Sequence, residues 1–157
     1  MKNKKSIFKI DWVLINELAI GPAPREESDL LILKDFGINS VLSLCSESEA
    51  PPPSGFYEKF NCSRLVLPDH KAGRIPELIE LINALKMLEK SMYNAPVFIH
   101  CVAAIERSPL VSMAWLIREK NLTPITALEY MIQVHPRTNP LAGQLSLLNE
   151  LMKNKLL

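Results

Sequence analysis

The 157-residue sequence is 48% hydrophobic and 22% charged, with a formal net charge of +1. These values are typical of one globular domain and give no support for a nucleic-acid partner. No apolar run approaches the roughly 20 residues of a membrane-spanning helix, and polar residues between Lys9 and Glu17 interrupt any signal-peptide core. The three cysteines lack zinc-ligand spacing and fit a reducing compartment. We therefore expect a monomeric, cytosolic protein with no membrane association, metal or cofactor.

The predicted elements alternate between strands and helices along the chain. Residues 1–6 are expected to form a flexible basic tail, and residues 7–157 a single catalytic domain. Strands are predicted within residues 12–20 (one or two short ones) and over residues 41–44, 64–67 and 96–99. Helices are predicted over residues 30–36, 76–90, 110–117 (buried on nearly every face), from Thr123 onwards, and over 141–152, with a polar loop over residues 46–55. Strands separated by helices predict an α/β sandwich with a central, mostly parallel sheet flanked by helices.

Three chemically capable residues follow predicted strands. Cys45, Asp69 and Cys101 each lie just past the carboxyl end of a strand. Ligands of parallel α/β sheets bind beyond these ends. The topology therefore predicts that the three residues cluster.

Residues 100–109, HCVAAIERSP, form the most informative segment. After the apolar strand, a turn from Cys101 to Arg107 can direct its backbone N–H groups inward around an oxyanion. A helix is predicted to follow, with Ser108 as N-cap and Pro109 in its first position. The helix N-terminus lowers the cost of a thiolate at Cys101, and the planar Arg107 fork can bind two phosphate oxygens. The segment predicts a phosphate-binding loop that carries its own nucleophile; the alternative is a strand, turn and helix with a buried structural cysteine.

This motif resembles the signature of the cysteine-based protein tyrosine phosphatases, and the short chain resembles their dual-specificity branch. The resemblance implies that Cys101 attacks phosphorus, and that Ser108 also hydrogen-bonds the Cys101 sulfur. Asp69 matches the position of the family's general acid; a turn aspartate is the alternative, with His70 or Glu77 as the next candidates. The loop residues expected to bind phosphate are Val102, Ala103, Ala104, Ile105, Glu106 and Arg107.

Further residues are expected to support the loop. His100 resembles the family's histidine before the nucleophile, which orients the loop and helps to hold the thiolate. The downstream segment HPRTNPLAGQL resembles the part of the family that packs behind the loop, where Arg137, Asn139 and Gln144 are candidates. Its Asn-Pro order leaves the register open.

Two positions depart from the family pattern. Ala104 stands where the family usually has glycine, so it would be strained if the position requires positive φ. Glu106 adds negative charge to the loop, which predicts a monophosphate substrate in preference to a polyphosphoinositide. A glutamate before the arginine also occurs in rhodanese-fold phosphatases and arsenate reductases, but these lack an acid at the Asp69 position and usually continue Arg-Gly.

Cys45 is a candidate redox partner of Cys101. If their strands are neighbours, a spacing of about 4.8 Å lies within the Cα range of a disulfide. Some relatives carry such a second cysteine, which traps the oxidised nucleophile reversibly. Ordinary burial of Cys45 is the alternative, and Cys62 is expected at the opposite edge of the sheet.

The resulting hypothesis is a phosphatase that releases phosphate from phosphotyrosine and phosphoserine/threonine in proteins or peptides. Two alternatives stay open: a non-catalytic phosphopeptide-binding module, and a rhodanese-type phosphatase or arsenate reductase.

Overall fold

The computed structural model describes residues 7–154, and its centre is a five-stranded sheet in the order β1-β2-β5-β3-β4. The strands are β1 (Asp11–Leu14), β2 (Leu18–Gly21), β3 (Ser40–Ser43), β4 (Asn61–Arg64) and β5 (Val97–His100). Only the β1–β2 pair is antiparallel among the strands of this sheet. The predicted α/β sandwich with a mostly parallel sheet is confirmed, whereas the expected tail over residues 1–6 lies outside the described residues.

Six α-helices are found within residues 7–154: α1 (Glu27–Asp35), α2 (Phe56–Lys59), α3 (Leu78–Ser91), α4 (Arg107–Lys120), α5 (Pro124–Val134) and α6 (Ala142–Lys153). Strand alternation divides the core between the two faces of the sheet. Ile20, Leu42 and Ile99 pack with α3, α4, α5 and α6 on one face. On the other face, Ala19 and Phe98 pack with α1 and α2.

Helix α4 lies at the centre of the larger layer, as predicted. Every residue from 107 to 117 is buried. The helix contacts α3, α5, α6 and β5, so its first turn is held rigidly at the carboxyl end of the central strand. No helix within residues 7–154 has the length and apolarity needed to cross a membrane.

The element boundaries differ from the predicted ones by up to three residues, and the contacts of β4 and α1 explain two of these shifts. Strand β4 covers Asn61–Arg64 and not residues 64–67, because its partner β3 ends at Ser43, which pairs with Arg64. The apolar Leu67 lies beyond this register and is buried at the edge of the site. Helix α1 begins three residues earlier than predicted, since the Asp29 carboxylate accepts the backbone N–H groups of Arg25 and Glu26.

Candidate active site

The loop between β5 and α4 forms the floor of a cavity of about 650 Å³. Cys101, Arg107 and Asp69 all line this cavity, together with residues of the loop itself. The structure therefore brings together two of the three residues that follow strands. Cys45 is buried in an adjacent cluster with Ala23, Ala50 and Val102.

The Cys101 thiol lies next to the first turn of α4. Its Sγ is 3.3 Å from Ser108 Oγ, and both residues are buried. Ser108 is the second residue of α4 and not its N-cap, because the helix begins at Arg107 after Glu106; Pro109 is therefore third. Because Ser108 does not cap the helix, its hydroxyl can donate to a Cys101 thiolate, which the helix N-terminus also stabilises.

The Arg107 guanidinium is fixed by groups from three other segments. Nη1 donates to the carbonyls of Leu67 (3.1 Å) and Leu44 (3.4 Å). Glu49 accepts from Nη2 (3.0 Å) and Nη1 (3.3 Å). Burial disfavours both charges, yet these hydrogen bonds hold the pKa of Glu49 below and that of Arg107 above its usual value.

One edge of the same guanidinium is left for a ligand. Arg107 Nε is buried and has no hydrogen-bond partner among residues 7–154. A buried charged donor without a partner is costly, so an oxyanion in the cavity would be stabilised by it. Glu49 was missed by the sequence analysis, although an acidic residue in the loop after a central strand was a usable signal.

Asp69 both caps a turn and lines the cavity. Its Oδ1 accepts the backbone N–H of Lys71 at 2.9 Å, which begins a short 3₁₀ turn. Its Oδ2 lies 3.8 Å from Arg107 Nη2. Asp69 therefore acts as a turn aspartate and also presents a carboxyl group to the cavity, so the two interpretations from sequence are compatible. His70 also lines the cavity, and Glu77 lies at the start of α3.

Glu106 binds the loop that carries Asp69. Its Oε1 accepts the His70 backbone N–H at 2.8 Å and lies 3.4 Å from His70 Nδ1. The ligand atoms of Asp69, His70 and Glu106 all lie within 4.8 Å of one another, so this group can hold a metal ion. The hydrogen bond between Glu106 and His70 accounts for the same proximity without one.

His100 fixes the start of the phosphate loop. Its Nδ1 is 2.8 Å from the Cys101 carbonyl oxygen, which only accepts, so Nδ1 donates and Nε2 accepts from the Ser43 hydroxyl at 2.7 Å. Burial lowers the His100 pKa to about 4, which keeps the ring neutral. These contacts give His100 an orienting role.

The segment after α5 contacts the back of the loop through Asn139, one of the expected residues, and through His135, which was not among them. His135 Nε2 donates to the Ala104 carbonyl at 2.7 Å, and His135 Nδ1 is 2.7 Å from Asp11 Oδ2. The Asn139 backbone N–H donates to the Ile105 carbonyl at 2.8 Å. The Arg137 side chain, by contrast, is exposed. His135 was overlooked because the resemblance drew attention to the arginine two residues later.

Two other expectations concern backbone and helix geometry. Ala104 has φ of 55°, so alanine occupies a left-handed conformation that favours glycine. Its carbonyl bond to His135 helps to offset the strain. Gln144 is buried, and its side chain accepts the Leu141 backbone N–H at 2.9 Å at the start of α6. Gln144 thereby stabilises the segment between α5 and α6 at the end where α6 begins.

The three cysteines are free and differ in their surroundings. β3 and β5 are neighbours, and Cys45 Sγ lies 4.0 Å from His100 Nδ1. Burial raises the Cys45 pKa, so this thiol stays protonated. Cys62 pairs with Val41 within the β3–β4 ladder, away from the carboxyl ends. Burial raises its pKa to about 11.

Comparison with known proteins agrees with this geometry. The family model "Dual specificity phosphatase, catalytic domain" matches residues 21–154. The Arabidopsis thaliana phosphatidylglycerophosphate phosphatase PTPMT2 is 27% identical over 127 residues, which cover 80% of this chain and 56% of the relative. Human dual specificity protein phosphatase 9 is 28% identical over 117 residues, which cover 70% of this chain and 28% of that relative. The chain spans about half the length of the first of these relatives.

Solved structures show the same fold. The human tyrosine phosphatase-like serine/threonine/tyrosine-interacting protein has a TM-score of 0.79 at 21% identity, covering 94% of this chain and 98% of that chain. PTPMT1, solved in complex with PI(5)P, has a TM-score of 0.78 at 20% identity, covering 92% of this chain and 95% of that chain. The fold is thus that of the cysteine-based protein tyrosine phosphatase superfamily. Within it, this chain belongs to the dual specificity phosphatase catalytic-domain family.

Proposed function

We propose that this protein hydrolyses phosphate monoesters through a phosphocysteine intermediate. The observation that carries the proposal is that Cys101, Arg107 and Asp69 line one cavity, with Ser108 behind the cysteine. Cys101 Sγ is hydrogen-bonded to Ser108, Arg107 Nε is buried without a partner within residues 7–154, and Asp69 lies beside Arg107. A nucleophile, an oxyanion donor and an acid are the parts that this reaction requires.

In the first step, the Cys101 thiolate attacks phosphorus and the bond to the leaving oxygen breaks. The Asp69 carboxyl group gives its proton to that oxygen, which leaves as an alcohol or phenol. The equatorial oxygens accept hydrogen bonds from Arg107 and from the backbone amides of residues 102–107.

In the second step, the Asp69 carboxylate takes a proton from water. The water oxygen attacks the phosphorus of the phosphocysteine, and the sulfur–phosphorus bond breaks. Inorganic phosphate leaves, and Cys101 returns to the thiolate, which the Ser108 hydroxyl stabilises. The cycle consumes one water and needs no metal or organic cofactor.

The first substrate candidate is a phosphorylated protein, with phosphotyrosine and phosphoserine/threonine both accepted. Relatives named dual specificity protein phosphatases support this choice. The proposal includes a monomeric, cytosolic protein whose residues 7–157 form one domain. A monophosphate is expected in preference to a polyphosphoinositide, because the Glu106 carboxylate adds negative charge at the cavity wall.

The second candidate is the monophosphate of a glycerophospholipid. Two relatives are named phosphatidylglycerophosphate phosphatases. The cavity wall also carries apolar side chains, namely the half-exposed Val66 and, from the loop itself, the partly buried Val102 and Ile105. Such side chains can contact the glyceride part of a lipid.

The test is phosphate release from four substrates under one set of conditions. These are a phosphotyrosine peptide, a phosphothreonine peptide, phosphatidylglycerophosphate in detergent micelles and a trisphosphorylated inositol lipid, each with Cys101→Ser as control. Turnover of the peptides supports the first candidate, and turnover of phosphatidylglycerophosphate alone supports the second. Binding of a phosphopeptide without release of phosphate would show that the protein is a phosphopeptide-binding module and not an enzyme. The matched family and its fold disfavour the rhodanese-type alternative. That alternative would be favoured again if none of the four substrates released phosphate and the protein reduced arsenate.

A further inference from the structure

The Glu106 carboxylate lies between two parts of the site that must cooperate. Its backbone belongs to the phosphate loop, where its carbonyl accepts the Leu110 N–H at 3.0 Å as α4 begins. Its side chain is only 11% exposed and turns to the other wall of the cavity. There it accepts the backbone N–H of His70, the residue directly after Asp69.

The loop that Glu106 reaches is exposed to solvent. Each residue from 70 to 75 is exposed, so apolar burial does not fix this segment. Within the loop, Lys71 and Ala72 donate to Asp69, which shapes the turn but does not attach it to the rest of the protein. At the far end of the loop, Arg74 binds Glu80 of α3 with two hydrogen bonds of 2.8 Å. The Glu106–His70 bond attaches the near end, and it acts one residue from the proposed acid.

Leu67 marks where the loop leaves the sheet. Its N–H donates to the Leu44 carbonyl at 3.0 Å, and its carbonyl accepts from Arg107. The Asp69 carboxyl group is therefore held between a fixed point at Leu67 and a second at His70. Loss of the second point would leave Asp69 less firmly positioned, with its ion pair to Arg107 at 3.8 Å as the remaining contact across the cavity.

We propose that Glu106 is a positioning residue that holds the Asp69 loop closed over the phosphate loop. The inference rests on the proposed function and extends it, because it gives a task to a side chain that the chemistry above does not use. A carboxylate beside a phosphate site opposes binding of a dianion. Its hydrogen bond to the acid loop has the opposite effect on turnover, since proton donation requires the acid within hydrogen-bond reach of the leaving oxygen.

The test compares Glu106→Ala with Glu106→Gln. Glutamine keeps an oxygen that can accept the His70 N–H, whereas alanine removes it, and both variants remove the negative charge. Two substrates test the first step: 4-nitrophenyl phosphate, whose acidic phenol leaves without much help, and phenyl phosphate, which needs a proton. The quantity compared is kcat/KM, because it reports the steps up to release of the leaving group, whereas kcat also includes hydrolysis of the phosphocysteine, in which Asp69 is the base for both substrates. We expect kcat/KM on phenyl phosphate to be about tenfold lower in Glu106→Ala than in Glu106→Gln, a part of what a general acid contributes. On 4-nitrophenyl phosphate the two variants, which lack the same charge, should differ less than about twofold.

A double-mutant cycle tests whether Glu106 acts through Asp69. In the Asp69→Asn background, Glu106→Ala should produce no further loss on phenyl phosphate. Equal losses in the alanine and glutamine variants, or an undiminished loss in the Asp69→Asn background, would overturn the proposal. Those results would assign the effect to charge or to folding of the phosphate loop.

Hydrogen exchange gives a readout that needs no activity. The amides of residues 68–74 should exchange faster in Glu106→Ala than in the wild type and in Glu106→Gln. Identical exchange in all three proteins would show that the bond does not hold the loop. A wild type without turnover would refute the proposed function, while the exchange measurement would still decide whether Glu106 tethers this segment.

Discussion

The Glu49 carboxylate binds the Arg107 guanidinium through two hydrogen bonds, 3.0 Å to Nη2 and 3.3 Å to Nη1. Arg107 is almost fully buried, whereas Glu49 retains partial contact with solvent. The Glu49 carboxylate therefore holds the Arg107 guanidinium in a fixed orientation. It fixes the guanidinium plane with Nε free for an oxyanion, and it neutralises a buried charge when the cavity holds none.

Replacement of Glu49 should therefore weaken oxyanion binding. We expect Glu49→Gln to reduce the affinity for orthovanadate about tenfold, because charge-assisted bonds orient a fork better than neutral ones. Isothermal titration calorimetry measures this directly. Glu47→Gln, in the same loop, is the matched control and should bind vanadate like the wild type. Tighter binding in Glu49→Gln would show that Glu49 competes with the ligand and does not orient the arginine.

Removal of His135 should destabilise the phosphate loop. The Ala104 carbonyl would lose its partner in a buried position, which costs about 1–3 kcal/mol. We expect His135→Ala to lower the free energy of unfolding by about that amount and to reduce turnover as well. Urea denaturation measures the first effect. Arg137→Ala, at an exposed position two residues away, should leave both quantities unchanged; equal effects at the two positions would contradict this role for His135.

The sequence predicted the parts of the molecule that depend on local patterns. The phosphate loop, its strand and its buried helix follow from one continuous segment in which turn chemistry, helix start and residue types agree. Asp69 was predicted from the family resemblance and from its position beyond the carboxyl end of a strand, although that strand ends at Arg64 and not at residue 67. The start of α4 lies two residues before the predicted one. Ser108 and Pro109 favour an N-terminus locally, whereas the side-chain contacts of Arg107 and Glu106 with distant segments are not visible in the local pattern.

The contacts missed were those between distant segments. Glu49 and Arg107 are 58 residues apart, and Glu106 and His70 are 36 apart. No local periodicity predicts such a pair, since Glu49, Glu106 and His70 each lie in a polar or turn segment and nothing near them in sequence identifies the distant partner. From the sequence, only the charge of Glu106 could be used for a prediction. In the structure its side chain accepts the backbone N–H of His70, whose position depends on how the whole sheet is assembled.

The neutral state of buried His100 predicts a fall in stability on acidification. The His100 pKa is about 4 in the folded protein, against an ordinary value of 6.5 in the unfolded chain, so between these values the unfolded state binds the extra proton. The stabilisation is complete above the unfolded pKa and is lost as the pH falls towards the folded one. We expect a loss of roughly 2 kcal/mol between pH 7 and pH 5.

Urea denaturation at the two pH values measures this difference, with His100→Asn as the control. That variant should be less stable at pH 7 but lose much less on acidification. A wild type whose stability is flat or rises between pH 7 and pH 5 would contradict the assignment.

Cys45 is expected to protect the nucleophile from irreversible oxidation. After peroxide converts Cys101 to a sulfenic acid, attack by the Cys45 sulfur would form a disulfide and release water. Peptide mapping should find the Cys45–Cys101 link, and dithiothreitol should restore activity. In Cys45→Ser the loss of activity should become irreversible, whereas Cys62→Ser should behave like the wild type. Absence of the linked peptide, with equal recovery in all three proteins, would leave Cys45 as a buried core residue.

The most direct test of the central claim is to trap the phosphoenzyme. Rapid mixing with 4-nitrophenyl phosphate, denaturation within the first turnover and peptide mapping should place one phosphate on Cys101. Asp69→Asn should prolong the life of this species, because hydrolysis then lacks its base. Cys101→Ser should release no phosphate and carry none at this position. Turnover that persists in Cys101→Ser, or phosphate found on another residue, would contradict the account.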